Sequence, residues 1–338
     1  MANQSVMGKW EMSGKSPRNY SVSISLTISN HHYLLADNWY KEGQYFNYAD
    51  LQIFYRDSNQ IRNDNKDLKT AKPVLVLLHG FPTCSWDYAA IWPILTQHFR
   101  VVTLDFLGFG MSDKPLMKYS IFQQADITQA LLEHLNIKHF HLLSHDFGDT
   151  VAIELLVRLQ KQGQVQSLVL TNGGIFAEFH QPLLIQKLLA SGLGKFITPL
   201  INFRLFKRSM DKIMTKPMPE SQAEQYWQLL NIHRGKRVFP KLIKYMKERK
   251  QNRARWEGGL AATSVPVGLI AGEDDPISGK LMIQGYRTIK PENTVIAMAN
   301  TGHYPHTEAP EQFLKHLFLI YQTLGIIPIP LSLCTTQS

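Results

Sequence analysis

The chain of 338 residues is 44% hydrophobic and 19% charged, a balance typical of globular proteins and not of disordered or fibrous ones. Its two cysteines, Cys84 and Cys334, lie far apart in the sequence, which argues against a disulfide-stapled secreted domain. We find no recognisable signal peptide and no apolar run of about twenty residues, so we expect no transmembrane helix and a cytoplasmic location.

The positive charge is concentrated in one stretch. The net charge is +9, whereas residues 175–258 carry 17 Lys and Arg against six Asp and Glu, a net charge of +11. No nucleic-acid-binding motif accompanies this charge, so we expect no nucleic acid partner. Two explanations stay open: peripheral contact with an anionic membrane surface, or a merely solvated helical face.

The first part of the chain predicts little regular structure. Residues 1–36 are expected to form a poorly ordered N-terminal segment. Residues 45–56 predict a β-hairpin that turns at residues 47–50. The polar stretch 59–72 predicts a loop.

Strands and helices then alternate over residues 73–174. Predicted strands cover 73–78, 100–104, 140–143 and 165–170, and predicted helices cover 85–97, 121–135 and 151–156. The first strands are continuous apolar runs, which is typical of strands buried on both faces. This alternation predicts an α/β fold with a doubly wound, mostly parallel sheet between layers of helices.

A helical stretch interrupts the alternation. Residues 175–262 contain no convincing strand, which predicts an inserted α-helical cap. The alternation resumes at Val265, with a helix at 280–289, a strand at 294–298 and a last helix at 308–324. We therefore predict a core made of residues 37–174 and 263–325, a cap at 175–262 and a tail at 326–338.

The segment Ser144-His145-Asp146-Phe147-Gly148 joins a predicted strand to a predicted helix. A reactive residue in such a sharp turn needs small neighbours, because larger side chains would collide, and Ser144 and Gly148 meet that need. The helix N-terminus behind Asp146 favours negative charge there. Asp146 is therefore a candidate nucleophile, with an ordinary helix N-cap as the alternative role.

Two more reactive residues follow predicted strands further along the chain. Asp275 follows the strand that starts at Val265, and His303 follows the strand at 294–298. Ligands of open α/β sheets bind at the carboxyl ends of the strands. The chain order nucleophile, acid, histidine is also that of hydrolase triads. We predict that His303 is a general base oriented by Asp275; the alternatives are a surface histidine and a helix cap.

His79-Gly80-Phe81-Pro82 follows the first buried strand. In hydrolases with this arrangement, the loop here supplies one N–H of an oxyanion hole, and the residue after the nucleophile supplies the other. We therefore predict an oxyanion hole made by the backbone N–H groups of Phe81 and Phe147. A simple Gly-Pro turn is the alternative.

An aspartate nucleophile changes the predicted reaction. Carboxylate attack on an acyl carbon would leave an anhydride, which is a poor intermediate. Attack on a saturated carbon that bears a leaving group gives an alkyl-enzyme ester instead. His303 would then activate the water that hydrolyses this ester. Epoxides and carbon–halogen compounds are substrates of this kind.

Several motifs together resemble the α/β-hydrolase superfamily, in its epoxide hydrolase and haloalkane dehalogenase branch. They are HGFP (79–82), DFLGFGMSDKP (105–115), SHDFGD (144–149), GEDDP (272–276) and GHYP (302–305). A closer likeness is to the mesoderm-specific transcript family, through YSIF (119–122), LLSHDFGD (142–149), LTNGGIF (170–176) and PLLIQKLL (182–189). The resemblance covers about residues 40–325. It implies an Asp-His-Asp triad at Asp146, His303 and Asp275, but the membrane anchor of that family has no evident counterpart.

The residues expected to act on the leaving group depart from this branch. Dehalogenases of this type commonly have Trp after the nucleophile, whose indole N–H holds the halide, whereas Phe147 has no side-chain donor. Epoxide hydrolases use two cap tyrosines, and the candidates here are Tyr245 and Tyr226. Trp86 is a further candidate substrate-binding residue. Helix packing is the alternative role for Tyr245.

The sequence thus predicts a hydrolase for a small apolar-to-amphipathic organic substrate, epoxide-like first and carbon–halogen second. We expect no metal and no cofactor: His141 and His145 straddle a strand end, and His303 and His306 share one loop without a nearby cysteine. A catalytically inactive binding or scaffold protein that keeps the fold is the alternative of a different class.

Overall fold

The computed structural model describes residues 36–59, 72–290 and 294–326, together with the backbone of two short paired strands, β1 (Val6–Lys9) and β2 (Ser23–Leu26). Most of the predicted N-terminal segment, of the loop at 59–72 and of the tail therefore lies outside the described residues.

One eight-stranded sheet forms the centre of the molecule. Its strands are β3 (Gln44–Tyr48), β4 (Leu51–Asp57), β5 (Val74–Leu78), β6 (Arg100–Leu104), β7 (Phe140–Ser144), β8 (Val165–Thr171), β9 (Val267–Gly272) and β10 (Val295–Met298). They lie in the order β10-β9-β8-β7-β5-β6-β4-β3. β3 and β4 form the predicted antiparallel hairpin, and β4 pairs with β6 in antiparallel orientation. The neighbouring strands β6, β5, β7, β8, β9 and β10 all pair in parallel.

The helices of the described chain precede, connect and follow these strands. They are α1 (Ala36–Lys41), α2 (Trp92–His98), α3 (Ile121–His134), α4 (Phe147–Leu159), α5 (Leu184–Ala190), α6 (Gly194–Ile197), α7 (Phe203–Asp211), α8 (Glu220–Asn231), α9 (Phe239–Leu242), α10 (Tyr245–Gln251), α11 (Arg253–Ala262), α12 (Lys280–Ile289), α13 (Pro305–Glu308) and α14 (Pro310–Thr323). α5 to α11 lie between β8 and β9, within the stretch predicted to form a helical cap.

The strand order makes the sheet doubly wound. The chain moves from β5 to β6 in one direction and then returns past β5 to β7, β8, β9 and β10. Because parallel crossovers are right-handed, this reversal places α2 and α3 on opposite faces of the sheet. α3 packs with α4 on one face, while His98 at the end of α2 contacts Phe318 of α14. The predicted α/β-hydrolase architecture is confirmed.

Proline separates helices at two places. The helix expected at 85–97 is a 3-10 helix, Ser85–Tyr88, followed by α2. The helix expected at 308–324 is α14, and the short α13 precedes it. In both cases a proline, Pro93 or Pro310, lies at the start of the second helix. Proline has no N–H and disfavours a helical conformation of the preceding residue, so the helix restarts there.

The parallel strands end at a common edge of the sheet. Leu78 of β5 is in register with Ser144 of β7, Thr171 of β8 with Ile270 of β9, and Met298 of β10 with Gly272 of β9. The loops that follow these strands therefore meet at one place. They carry the residues singled out in the sequence.

Candidate active site

Asp146 lies in a sharp turn between β7 and α4. Its backbone has φ 46° and ψ −105°, a conformation that side-chain-bearing residues rarely adopt and that stores strain. The turn leaves no room for a side chain at Gly148, where a Cβ would overlap the carbonyl oxygens of Leu78 and His79. This close approach explains why the sequence places glycine two residues after Asp146.

The carboxylate of Asp146 accepts hydrogen bonds from both predicted backbone donors. The N–H of Phe81 donates to Oδ2 at 3.0 Å, and the N–H of Phe147 also bonds to the carboxylate. Burial raises the pKa of Asp146, while His303, Arg249 and the two amides act in the opposite direction. The two N–H groups thus face the side chain to which a substrate would become attached.

His303 and Asp275 form a buried pair beside this carboxylate. His303 Nδ1 lies 2.7 Å from Asp275 Oδ2, and both side chains are almost fully enclosed. Burial alone would lower the pKa of His303, but the charges of Asp275 and Asp146 raise it to about 9. Burial likewise opposes the ionisation of Asp275, yet its neighbours, His303 first, lower its pKa. The pair is therefore an imidazolium and a carboxylate at neutral pH.

Asp275 is held by groups that sequence reasoning missed. Its Oδ2 accepts hydrogen bonds from Asn172 Nδ2 at 2.9 Å and from Ser278 Oγ at 2.6 Å. Its Oδ1 accepts the N–H of Ile277 at 2.8 Å. Asn172 follows β8 directly, so its position at the end of a parallel strand was the signal that could have identified it.

An apolar cavity opens beside His303 and Phe81. It spans about 590 Å³, including space that is open to solvent, and is lined mainly by residues of the helical stretch between β8 and β9, including Leu189, Ile201 and Phe206. Polar side chains are few along its wall. Such a lining fits an apolar substrate with one reactive polar group.

Tyr245 lies next to the sharp turn that carries Asp146. Its ring centroid is 5.0 Å from that of Phe147 and 6.3 Å from that of Phe81. Its hydroxyl is buried and has no hydrogen-bond partner among the described residues. Burial first, and then the charge of Asp146, raise its pKa, so it keeps its proton at neutral pH. Of Tyr245 and Tyr226, Tyr245 is the one whose hydroxyl has no hydrogen-bond partner among the described residues.

Tyr226 and Trp86 lie together, with ring centroids 4.6 Å apart. The hydroxyl of Tyr226 is hydrogen-bonded to Asp87, so it is already used. Neither residue is among those that line the cavity at His303 in the described part of the chain. Their role in substrate binding stays a prediction.

One buried group has the composition of a metal site. One ligand atom each of Asp87, His145 and His306 lies within 4.8 Å of the others. Asp87 Oδ1 and both ring nitrogens of His306 have no hydrogen-bond partner among the described residues, and His145 Nε2 bonds to the carbonyl of His303 at 2.8 Å. Two imidazoles and a carboxylate suit zinc. The expectation of no metal therefore stays a prediction.

Comparisons with known proteins identify the family of this chain. The family profile described as alpha/beta hydrolase fold matches residues 73–310. The mesoderm-specific transcript homolog protein of Bos taurus is 43% identical over 293 residues, which cover 82% of this chain and 85% of the relative. The putative hydrolase LipZ of Mycobacterium tuberculosis is 35% identical over 250 residues, covering 72% of this chain and 86% of LipZ.

Solved structures show the same fold at lower identity. A loop variant of haloalkane dehalogenase DbeA from Bradyrhizobium elkanii has a TM-score of 0.69 at 20% identity, covering 84% of this chain and 97% of that one. Epoxide hydrolase CorEH has a TM-score of 0.66 at 17% identity, covering 83% and 99%. By its family profile and its closely similar relatives, the chain belongs to the α/β-hydrolase family and, within it, to the group of the mesoderm-specific transcript proteins.

Proposed function

We propose that this hydrolase uses Asp146 as a nucleophile toward saturated carbon and that its substrate is epoxide-like. The observation that carries the proposal is the surroundings of the Asp146 carboxylate, which accepts the N–H groups of Phe81 and Phe147 beside the His303–Asp275 pair. A carboxylate in that position favours an alkyl-enzyme ester over an acyl-enzyme.

The first step forms the ester. One carboxylate oxygen of Asp146 attacks a ring carbon, the carbon–oxygen bond of the epoxide breaks, and the electron pair remains on the leaving oxygen. That oxygen takes a proton from the hydroxyl of Tyr245, which is buried beside Phe147. His303, which is protonated at neutral pH because its pKa is about 9, gives up its proton to water, and the Tyr245 phenolate regains one from water. The step ends with a neutral ester, a neutral His303 and a new hydroxyl group.

The second step hydrolyses the ester. His303 takes a proton from water as the water oxygen attacks the carbonyl carbon of the ester. The N–H groups of Phe81 and Phe147 stabilise the resulting oxyanion. Collapse releases the diol, whose second oxygen takes the proton from the Asp146 carboxyl. Ester formation removes the charge of Asp146, which is one of the charges that raise the pKa of His303. The pKa therefore falls, which favours the neutral imidazole that can take a proton from water.

The apolar wall of the cavity supports a small apolar-to-amphipathic substrate. A carbon–halogen substrate is the second candidate, because an Asp nucleophile serves both reactions. Phe147 offers no side-chain donor to a departing halide, which favours the epoxide. An inactive scaffold protein is the alternative of another class.

We also propose that the helical stretch between β8 and β9 contacts an anionic membrane surface. Nine large hydrophobic side chains are exposed among the described residues, and six of them lie on α5 to α7 and the segments between them. We call these six the apolar patch: Leu184, Leu188, Leu193, Phe196, Leu200 and Leu205. Exposed basic residues, including Lys187, Lys195 and Arg204, alternate with them. Apolar side chains framed by positive charge are the pattern of surfaces that lie on anionic lipid. No helix in the described ranges is long and apolar enough to cross a bilayer.

Trapping the ester tests the catalytic proposal. The His303→Gln variant keeps Asp146 but lacks the base, so it should accumulate the ester when it is mixed with epoxides and haloalkanes and stopped quickly. Intact-mass analysis should find one adduct per chain, and peptide mapping should locate it on Asp146. The exposed His139, exchanged in His139→Gln, is the matched control and should turn substrate over without an adduct.

Three results would speak against the proposal in different ways. An adduct from haloalkanes alone would change the substrate class. An adduct that persists in His303→Gln/Asp146→Ala would exclude Asp146 as the nucleophile. If neither substrate class gives turnover or an adduct, the scaffold alternative replaces the enzyme.

A further inference from the structure

Arg249 of α10 is a buried cation whose donors are largely unused. Only 2% of the residue is exposed. Its Nε donates to Thr150 Oγ1 at 3.0 Å, whereas Nη1 and Nη2 are buried and have no hydrogen-bond partner among the described residues. Leaving buried donors of a charged group unsatisfied is costly, so their retention points to an acceptor that arrives with a ligand.

The guanidinium of Arg249 lies over the start of α4, the helix that follows Asp146. Thr150, its hydrogen-bond partner, is one helical turn after Asp146. The guanidinium carbon is 4.9 Å from the ring centroid of Tyr245, four residues earlier on the same face of α10. The ring of Tyr245 in turn packs on Phe147. Arg249 and the hydroxyl of Tyr245 are thus two unused donors that α10 brings to the nucleophile.

The loop after β8 is shaped around this guanidinium. A Cβ at Gly174 would overlap Nη1 of Arg249, so the absence of a side chain at this position lets the guanidinium lie where it does. The same loop carries Asn172, which holds Asp275. One loop therefore positions the acid of the pair and makes room for Arg249.

We propose that Arg249 receives the oxygen that leaves when Asp146 attacks its substrate, with Nη1 and Nη2 as the donors. The inference rests on the proposed function and deepens it. Nucleophilic attack moves one negative charge from Asp146 to the leaving oxygen, and a fixed positive charge nearby stabilises that charge where it develops. A guanidinium does not act as an acid at neutral pH, so Tyr245 supplies the proton.

The proposed role of Arg249 narrows the class of substrate. Arg249 offers an oxygen leaving group two N–H donors and Tyr245 offers one hydroxyl, while the separate cavity at His303 and Phe81 is mainly apolar. The second tyrosine of related epoxide hydrolases is then replaced by an arginine. A strained cyclic ether with an otherwise apolar skeleton satisfies each of these groups.

The test compares ester formation in three proteins that all carry His303→Gln. They are the parent, the parent with Arg249→Met, and the parent with Lys250→Met, which removes an exposed positive charge from the next position of the same helix. Quenched-flow intact mass gives the rate of adduct formation with an epoxide. We expect Arg249→Met to slow this rate by about 10²–10³-fold, the effect of removing one oxyanion donor. Arg249→Lys should recover part of the loss, and Lys250→Met should match the parent.

The pH profile separates this role from a structural one. The charge of Arg249 lowers the pKa of Asp146, so Arg249→Met should move the acid limb of adduct formation to higher pH. Equal rates and equal acid limbs in parent and Arg249→Met would overturn the role of Arg249 while leaving the nucleophile in place. Absence of an adduct in the parent would overturn both proposals. Circular dichroism identifies any variant that does not fold, in which case Arg249→Lys decides.

Discussion

The polar residues beside Asp146 influence one another through direct contacts. Asp275 raises the pKa of His303, and Asn172 and Ser278 hold Asp275 in place. In the proposed mechanism, His303 gives up a proton in the first step and accepts one in the second. This exchange depends on the position of one carboxylate oxygen, Oδ2 of Asp275, which also accepts the Asn172 amide.

Asn172 is predicted to be a positioning residue for the second step. The variant Asn172→Gly keeps the positive φ of 44° without strain and removes the amide. We expect ester hydrolysis to slow about tenfold, because the variant loses the amide's hydrogen bond of about 1.4 kcal/mol to the charged Asp275, together with its two bonds to the backbone of Gly272. Ester formation, which needs Asp146 rather than Asp275, should change far less. Stopped reactions of this variant should therefore show accumulated ester.

Asn136→Gly is the matched control, because Asn136 is exposed and also has a positive φ, 54°. It should leave both steps unchanged. If Asn172→Gly slows both steps equally, or neither, Asn172 does not act through Asp275.

At the level of elements, one buried carboxylate fastens α11 to the core. Glu154 of α4 is fully enclosed and accepts Arg255 Nε at 2.7 Å and Trp256 Nε1 at 2.8 Å, both from α11. It also accepts Arg158 Nε at 2.6 Å within α4. These bonds outweigh the effect of burial and lower the pKa of Glu154. The helical stretch over the site is thus tied to the same helix that begins at Asp146.

We predict that Glu154→Gln lowers the free energy of unfolding by about 1.5–3 kcal/mol, since it weakens several hydrogen bonds to a buried charged group. Urea denaturation at neutral pH measures this difference. The partly exposed arginines keep contact with water, so the loss stays within that range.

Asp126→Asn is the control for this prediction. Asp126 pairs with the same Arg158 at 2.5 Å but is 48% exposed, so its loss should cost less than about 1 kcal/mol. Equal losses in the two variants would mean that Glu154 contributes no more than a surface ion pair.

For the whole molecule, the apolar patch and the cavity share their helices. Leu189 and Ile201, from the stretch that carries the exposed patch, line the cavity next to His303. A membrane surface held against the patch would therefore lie near the cavity wall. An apolar substrate could then pass to the site without crossing bulk water.

Vesicle binding tests the proposed membrane contact. Co-sedimentation with vesicles of phosphatidylcholine and phosphatidylserine should fall steeply with salt, because exposed charges are screened within about 10 Å at 0.1 M. The double variant Phe196→Ser/Leu200→Ser should bind at least about tenfold more weakly, since two exposed apolar side chains no longer enter the lipid surface.

Leu319→Ser, which changes an exposed leucine outside the patch, should bind like the unchanged protein. Salt-independent or absent binding would leave the positive charge as an ordinary solvated surface. Binding that the double variant does not weaken would locate the contact elsewhere.

The sequence by itself determined the order of elements and the residues at the strand ends. Apolar runs such as 73–78 and 100–104 predict buried strands, and the small residues around Asp146 predict a tight turn. Parallel strands end at one edge, so Asp146, Asp275 and His303 had to come close. These are consequences of local pattern and of topology.

Only the tertiary structure decided which polar groups lie next to Asp146, Asp275 and His303. Asn172 meets Asp275 across 103 residues and Arg249 meets Thr150 across 99, and neither contact follows from periodicity. Helix phase and docking set these contacts, which is why Tyr245 packs on Phe147, next to Asp146, while Tyr226 bonds to Asp87. A helical pattern fixes which residues share a face, but the packing of that face is decided by long-range contacts.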